Sequence, residues 1–233
     1  MEKLMDNLNL FDIIAMLIPG VAFMFCVRIV LFNTSFHIFN VVKEYEIVAI
    51  LVFGYAFGFA FQEIGYWADK LALHKLYYKG EIKEIFLSEQ VKEKIFDNEI
   101  YYLMGQAVKD DIISKSRSND MIECNKIWDD EQQVNRYIYN YLLDYLEIYG
   151  LKDKSDKMQV LAELSRSLMI VSFICGVISV ISVLFQNVSF WIIFINSIVF
   201  FALLFIFLLL KTRYEKYRIR TIIRTYFINN LRR

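Results

Sequence analysis

Between Ser167 and Leu210 the chain carries no Asp, Glu, Lys or Arg, a run of 44 residues bounded by Arg166 on one side and Lys211 on the other. As one helix rising roughly 1.5 Å per residue it would be about 66 Å long, twice the hydrocarbon thickness of a bilayer. The run must therefore fold back on itself. The polar break Gln186-Asn187-Val188-Ser189 divides it into spans at about 168–185 and 190–210, a helical hairpin. Phe11 to Phe32 is apolar apart from Asp12 and Arg28, and the uncharged stretch from Ile47 to Gln62 extends through Glu63 to Trp67. These give spans at about 11–32 and 46–67, a first hairpin around the loop Asn33 to Glu44. The expected fold class is all-α: four transmembrane helices as two hairpins (1–67 and 167–210), a helical cytoplasmic insert between them (68–166) and a basic C-terminal helix (211–233).

Composition supports this division. Of the 233 residues 57% are hydrophobic, above the roughly 45–50% of a globular norm, yet 22% are charged. Charges and apolar runs are thus segregated along the chain, which excludes disorder, collagen-like repeats and a disulfide scaffold. A cleavable signal peptide is disfavoured because Glu2 and Asp6 outweigh Lys3 and no small-x-small site follows the long apolar stretch.

Charge distribution sets the expected orientation. Residues 67–166 hold 15 Lys/Arg and 19 Asp/Glu, and residues 211–233 hold eight Lys/Arg against Glu215, whereas the two short loops offer only Lys43. Lys and Arg near span ends stay on the cytoplasmic side. The chain is therefore expected in the cell's inner (plasma) membrane, with both termini and the insert cytoplasmic. Cys26 and Cys175 fall within spans and Cys124 within the insert, so the three cysteines suggest packing residues rather than an external disulfide or a metal set.

Within the insert, Leu87 to Lys115 suggests one amphipathic helix (Val91, Ile95, Ile100, Leu103, Val108, Ile112) interrupted only by Gly105. A second stripe, Val134, Ile138, Tyr141, Leu142, Tyr145 and Ile148, ends at Gly150. Helical pattern persists from the second span to Tyr78 and from Ser155 into the third, so movement of the insert would be delivered along unbroken helices.

Several side chains invite functional readings. Gly54 and Gly58 form a G-x-x-x-G that marks close helix packing. Pro19-Gly20 in the first span should kink or weaken the helix there, as a hinge or as a tolerated kink, exposing the Ala15 carbonyl. The intramembrane charges Arg28 and Glu63 lie at opposite ends of their spans, so each should find a local partner: Glu46 for Arg28, Lys70 or Arg213 for Glu63. Arg213, Lys216, Arg220 and Arg224 recur at helical spacing beside the apolar stripe Ile219, Ile222, Ile223, Tyr226. Such a helix suits binding to an anionic lipid surface or to a partner, or docking on the acidic insert. His37 and His74 stand outside any metal-ligand spacing, and there is no P-loop, G-x-G-x-x-G or G-x-S-x-G. Asp129-Asp130-Glu131 reads as the acidic first turn of a helix. No catalytic residue, cofactor or metal is expected, and the chain reads as a non-enzyme.

The opening Asn7-Leu8-Asn9-Leu10-Phe11-Asp12, leading into Leu17-Ile18-Pro19-Gly20, together with two hairpins around a helical insert and a basic aromatic tail, resembles the small multi-pass membrane proteins of prokaryotic antiviral loci, including CRISPR accessory membrane proteins. The resemblance implies a membrane effector or regulator controlled by a cytoplasmic signal or partner. The expected partners are the lipid bilayer, further copies in a homo-oligomer and a cytoplasmic protein, with nucleic acid disfavoured. The expected function is a change in membrane permeability or in a partner's activity when the insert senses its signal. A constitutive channel or transporter subunit and a passive scaffold or anchor are the competing readings.

Overall fold

The computed structural model describes residues 10–31, 43–71, 81–89, 92–96, 98–118, 130–185 and 190–230. Cys124, His37, His74, the Gln186–Ser189 break, the junction through Tyr78 and the side chains of Arg28 and Glu46 lie outside the described residues. Among those described, the regular structure is entirely helical: α1 (Leu10–Leu31), α2 (Lys43–Asp69), α3 (Ile82–Ile85), α4 (Lys92–Ile95), α5 (Glu99–Ser118), α6 (Glu131–Ile148), α7 (Asp153–Phe185) and α8 (Phe190–Asn230). Three of them, α2, α7 and α8, are long and apolar enough to cross a membrane.

The chain forms two compact units, one drawn from Met1–Ala68 and Val160–Arg213, the other from Asp69–Gln159 and Tyr214–Arg233. Helices α7 and α8 therefore each contribute residues to both. In the first unit, α1 and α2 join the apolar stretches of α7 and α8 around a small core of Phe61, Ile170, Val171 and Cys175, flanked by Phe23, Cys26, Met169 and Phe200. Outside that core its large side chains face outward: Phe53, Phe59 and Trp67 on α2, Phe173 and Val180 on α7, Phe194, Ile198 and Phe205 on α8. Only 6% of the apolar window of α8 is buried by the protein, so something apolar must cover the remainder.

The second unit has an ordinary interior. Ile85, Phe86 and Leu87 from α3 and the turn after it, Ile95 and Phe96, Val108 and Ile112 of α5, and Val134, Ile138, Leu142 and Leu146 of α6 pack with Ile219, Ile222, Ile223 and Tyr226 of α8. Helix α3 packs on α6. There the Asn135 amide, wholly buried, donates to the Glu84 carbonyl at 3.0 Å.

Two expectations for this segment are corrected. Leu87 to Lys115 is not one helix, because Asn98 accepts the Ile100 N–H at 3.0 Å and so caps a new helix after α4. The helical phase is reset at that corner, leaving Ile100 and Leu103 at 61% and 59% exposure while Val108 and Ile112 are fully buried. Lys92 closes the corner with a 2.8 Å ion pair to Glu99, a contact that raises the lysine pKa and lowers that of the glutamate. In α6 the buried line is Val134, Ile138, Leu142, Leu146, and Ile148 faces outward.

The ends of α6 follow from local chemistry. The Asp130 carboxylate accepts the Gln132 N–H at 3.0 Å as N-cap. At the other end Gly150 adopts φ +64°, with its N–H on the Glu147 carbonyl and the Leu151 N–H on the Leu146 carbonyl, a Schellman closure. A Cβ at Gly150 would touch nothing, so its φ alone penalises substitution. Gly150→Ala should destabilise the chain by about 1 kcal/mol, read as a lowered midpoint in thermal unfolding of the detergent-solubilised protein.

Candidate functional site

In the first unit the residues of interest converge on the contact between α1 and α2. A Cβ at Gly20 would overlap the Gly54 carbonyl, one at Gly58 would overlap the Met16 carbonyl, and one at Gly54 would press on the Val21 side chain. Gly54 and Gly58 thus face α1 of the same chain, and Gly20 completes the strip from the other helix. Small residues remove the side-chain layer and let two backbones meet, which suits helices that gain nothing from hydrophobic burial against lipid. Pro19, also buried, cannot donate to the Ala15 carbonyl, yet α1 is continuous from Leu10 to Leu31. Ala15 is only 3% exposed. The neighbouring Met16 backbone is covered by α2 at Gly58.

The charged residues differ from expectation. Glu63 stands exposed on α2 and makes no ion pair with Lys70 or Arg213 among the described residues. The polar contact that forms is one position away, where Gln62 Nε2 donates to Glu163 Oε2 at 3.1 Å. Arg166 lays its aliphatic stem over Gly65 and its guanidinium 5.9 Å from the centre of the Tyr66 ring. Gln62 was illegible because a lone amide at the end of an apolar run has no periodic signature.

In the second unit the C-terminal segment of α8 is an internal strut. Tyr226 is fully buried, its hydroxyl donates to Asp111 Oδ2 at 2.9 Å, and its ring meets Tyr145 and Tyr141 edge-on at 4.8 and 6.2 Å. Asp111 also pairs with Lys115 at 2.8 Å. Arg220, 9% exposed, donates from Nε and Nη2 to the Ile95 carbonyl at 3.1 and 2.7 Å, with Tyr101 and Tyr217 rings on either flank. It caps the end of α4, where a cation complements the unpaired carbonyls. Of the readings offered for the basic segment, this contact fits docking on the insert rather than Arg220 binding lipid or a partner. Arg213 and Arg224 are exposed and Lys216 is half-buried. Gly105 serves the same docking, since a Cβ there would strike Leu87 and reach Ile223. Burial raises the pKa of the Tyr139 phenol, partly opposed by the Arg218 guanidinium 6.0 Å from its ring centre.

No group of three or more His, Cys, Asp or Glu suited to a metal occurs among the described residues. Comparisons with protein-family models, with curated proteins and with solved structures find no match.

Two paired substitutions test these contacts. Gly58→Ala should cost about 1–3 kcal/mol by forcing backbone apart, whereas Gly176→Ala, whose Cβ would meet Phe200 and Phe201 at 3.5 and 3.6 Å, should leave the melting midpoint unchanged or slightly raised. Arg220→Ala should cost about 1.5–3 kcal/mol and hasten proteolysis of the second unit, while Arg224→Ala stays within about 0.5 kcal/mol of the parent.

Proposed function

We propose that the chain is a non-enzymatic, oligomeric integral membrane protein in which the second unit senses a cytoplasmic signal or partner and the first alters membrane permeability or the partner's activity. The observation that carries this reading is helical continuity. Residues Asp153–Phe185 and Phe190–Asn230 each form a single helix, and each gives residues to both units. A rotation or tilt of the second unit is thereby passed along two stiff rods into the first. The four-span arrangement adds α1, whose 22 residues extend about 33 Å, to the three long apolar helices. The lysines and arginines flanking the spans favour a cytoplasmic side for both termini and the second unit. The similarity of the Asn7–Gly20 segment to membrane proteins of prokaryotic antiviral loci supports a role in defence.

A constitutive transporter is less well supported. Ser165, Ser167 and Ser172 turn their hydroxyls back to carbonyls four residues earlier, at 2.8, 3.1 and 2.9 Å, so their protons are committed to the helix backbone rather than to a solute.

Dye release from anionic vesicles carrying the full chain tests the proposal, measured alone and after adding the soluble fraction of cells expressing the genes that flank this one. Low release alone and several-fold higher release after addition is expected. A Gly-Ser-Gly insertion after Gln159 should abolish the increase. Steady release without addition would favour transport, and none under either condition a scaffold.

A further inference from the structure

We propose that copies of this chain meet through the outward face of α2 on one and the outward face of α8 on the next, joined by an ion pair between Glu63 of the first and Arg213 of the second. The inference rests on the membrane-embedded reading of the first unit and names the surface through which its copies associate. Glu63 is exposed on an apolar helix and has no ionic or hydrogen-bonding partner among the described residues. Hydrocarbon offers a carboxylate no donor, and anionic headgroups repel it. A cation carried by another copy answers both difficulties.

The two helices present matching stripes. On α2, Val52, Ala56, Phe59 and Glu63 are exposed at steps of four, three and four residues. On α8, Val199, Ala202, Ile206, Leu209 and Arg213 are exposed at steps of three, four, three and four. Alternating steps of three and four set side chains along one seam, the pattern by which helices interlock. Each helix turns its other side to α7: Gln62 donates to Glu163 and Gly65 lies under the Arg166 stem, while Gly176 faces Phe200 and Phe201. Exposed as they are, the stripes do not cover each other within one chain.

Those contacts with α7 also set the depth of each charge. Only four residues join α7 to α8, so the two run in opposite directions, and α2, whose Phe61 packs with Ile170 and Val171, runs against α7 as well. At roughly 1.5 Å per residue, Glu163 and Arg166 lie about 17 Å from Gly176 along α7, and Arg213 lies about 19 Å from Phe200 and Phe201 along α8. Glu63, between Gln62 and Gly65, thus stands within about 3 Å of the depth of Arg213. Copies inserted the same way share these depths, so the carboxylate of one reaches the guanidinium of the next. The two faces differ, which makes the contact heterologous, repeated from copy to copy until the rotation closes a ring.

The test uses two full chains bearing different affinity tags, co-expressed, reconstituted in phosphatidylcholine vesicles and recovered by flotation. Native-charge copies should co-purify after solubilisation. Two copies with Glu63→Arg, or two with Arg213→Glu, should each co-purify about tenfold less, while one of each should return to the native yield, because every contact in the mixed assembly again joins unlike charges. Phe59→p-benzoylphenylalanine, irradiated in the native-charge pair, should join the two tags through the fragment that follows Met169, which holds α8. Floated chains that stay single, a loss that mixing does not restore, or a cross-link confined to fragments ahead of Met169 would each overturn the assignment. Copies that co-purify equally whatever their charge would keep the oligomer and remove this contact. The cross-link carries the test even where a charge-reversed chain fails to fold. A chain that does not float overturns the membrane reading itself, and this contact with it.

Discussion

Along the 41 residues of α8 the relation between side-chain chemistry and burial reverses. In its first half Phe194, Ile198, Phe205 and Leu209 are exposed, and in its second Ile219, Ile222, Ile223 and Tyr226 are almost wholly enclosed. Apolar surface leaves water wherever it can, so the first half needs an apolar surrounding and the second supplies its own by packing with α5, α6 and the short helices. The other elements follow from this reversal. Small helices α3 and α4 and the capped ends of α5 and α6 form the seat for the enclosed half, and α1, α2 and α7 accompany the outward-facing half.

The two halves satisfy polar groups by different means. In the apolar unit, serines on α7 return their hydroxyls to the helix backbone, and glycines bring α1 and α2 close enough for their backbones to meet. In the other unit, long side chains reach between elements: Arg220 to the end of α4, Tyr226 to Asp111, Gln106 to the Leu87 carbonyl at 3.0 Å. The first strategy suits surroundings that offer no hydrogen bonds, the second an aqueous rim where an unpaired group can still find water.

How much of this was legible depended on the range of the signal. Apolar runs without charges place α2, α7 and α8, because burial in lipid demands many consecutive apolar residues. Gly150 and Asp130 mark the ends of α6, since caps are local chemistry. The corner at Asn98 was missed because the apolar spacing on either side fits one helix as well as two. The seat of Arg220 was missed because exposed and internal cations share the same helical spacing, and only the Ile95 carbonyl, 125 positions away, tells them apart.

Enclosure of Ile219, Ile222, Ile223 and Tyr226 has a consequence for synthesis. The ribosome makes α3 to α6 well before it makes residues 214–230, so the interior of the second unit lacks four of its apolar members until that segment has been translated. Only after the hydrophobic stretch of α8 has been translated can that interior close. Assembly of the polar unit is thus tied to the schedule on which the preceding apolar helices emerge, and a nascent chain stalled before Tyr214 would hold an open cleft where the finished protein has a sealed one.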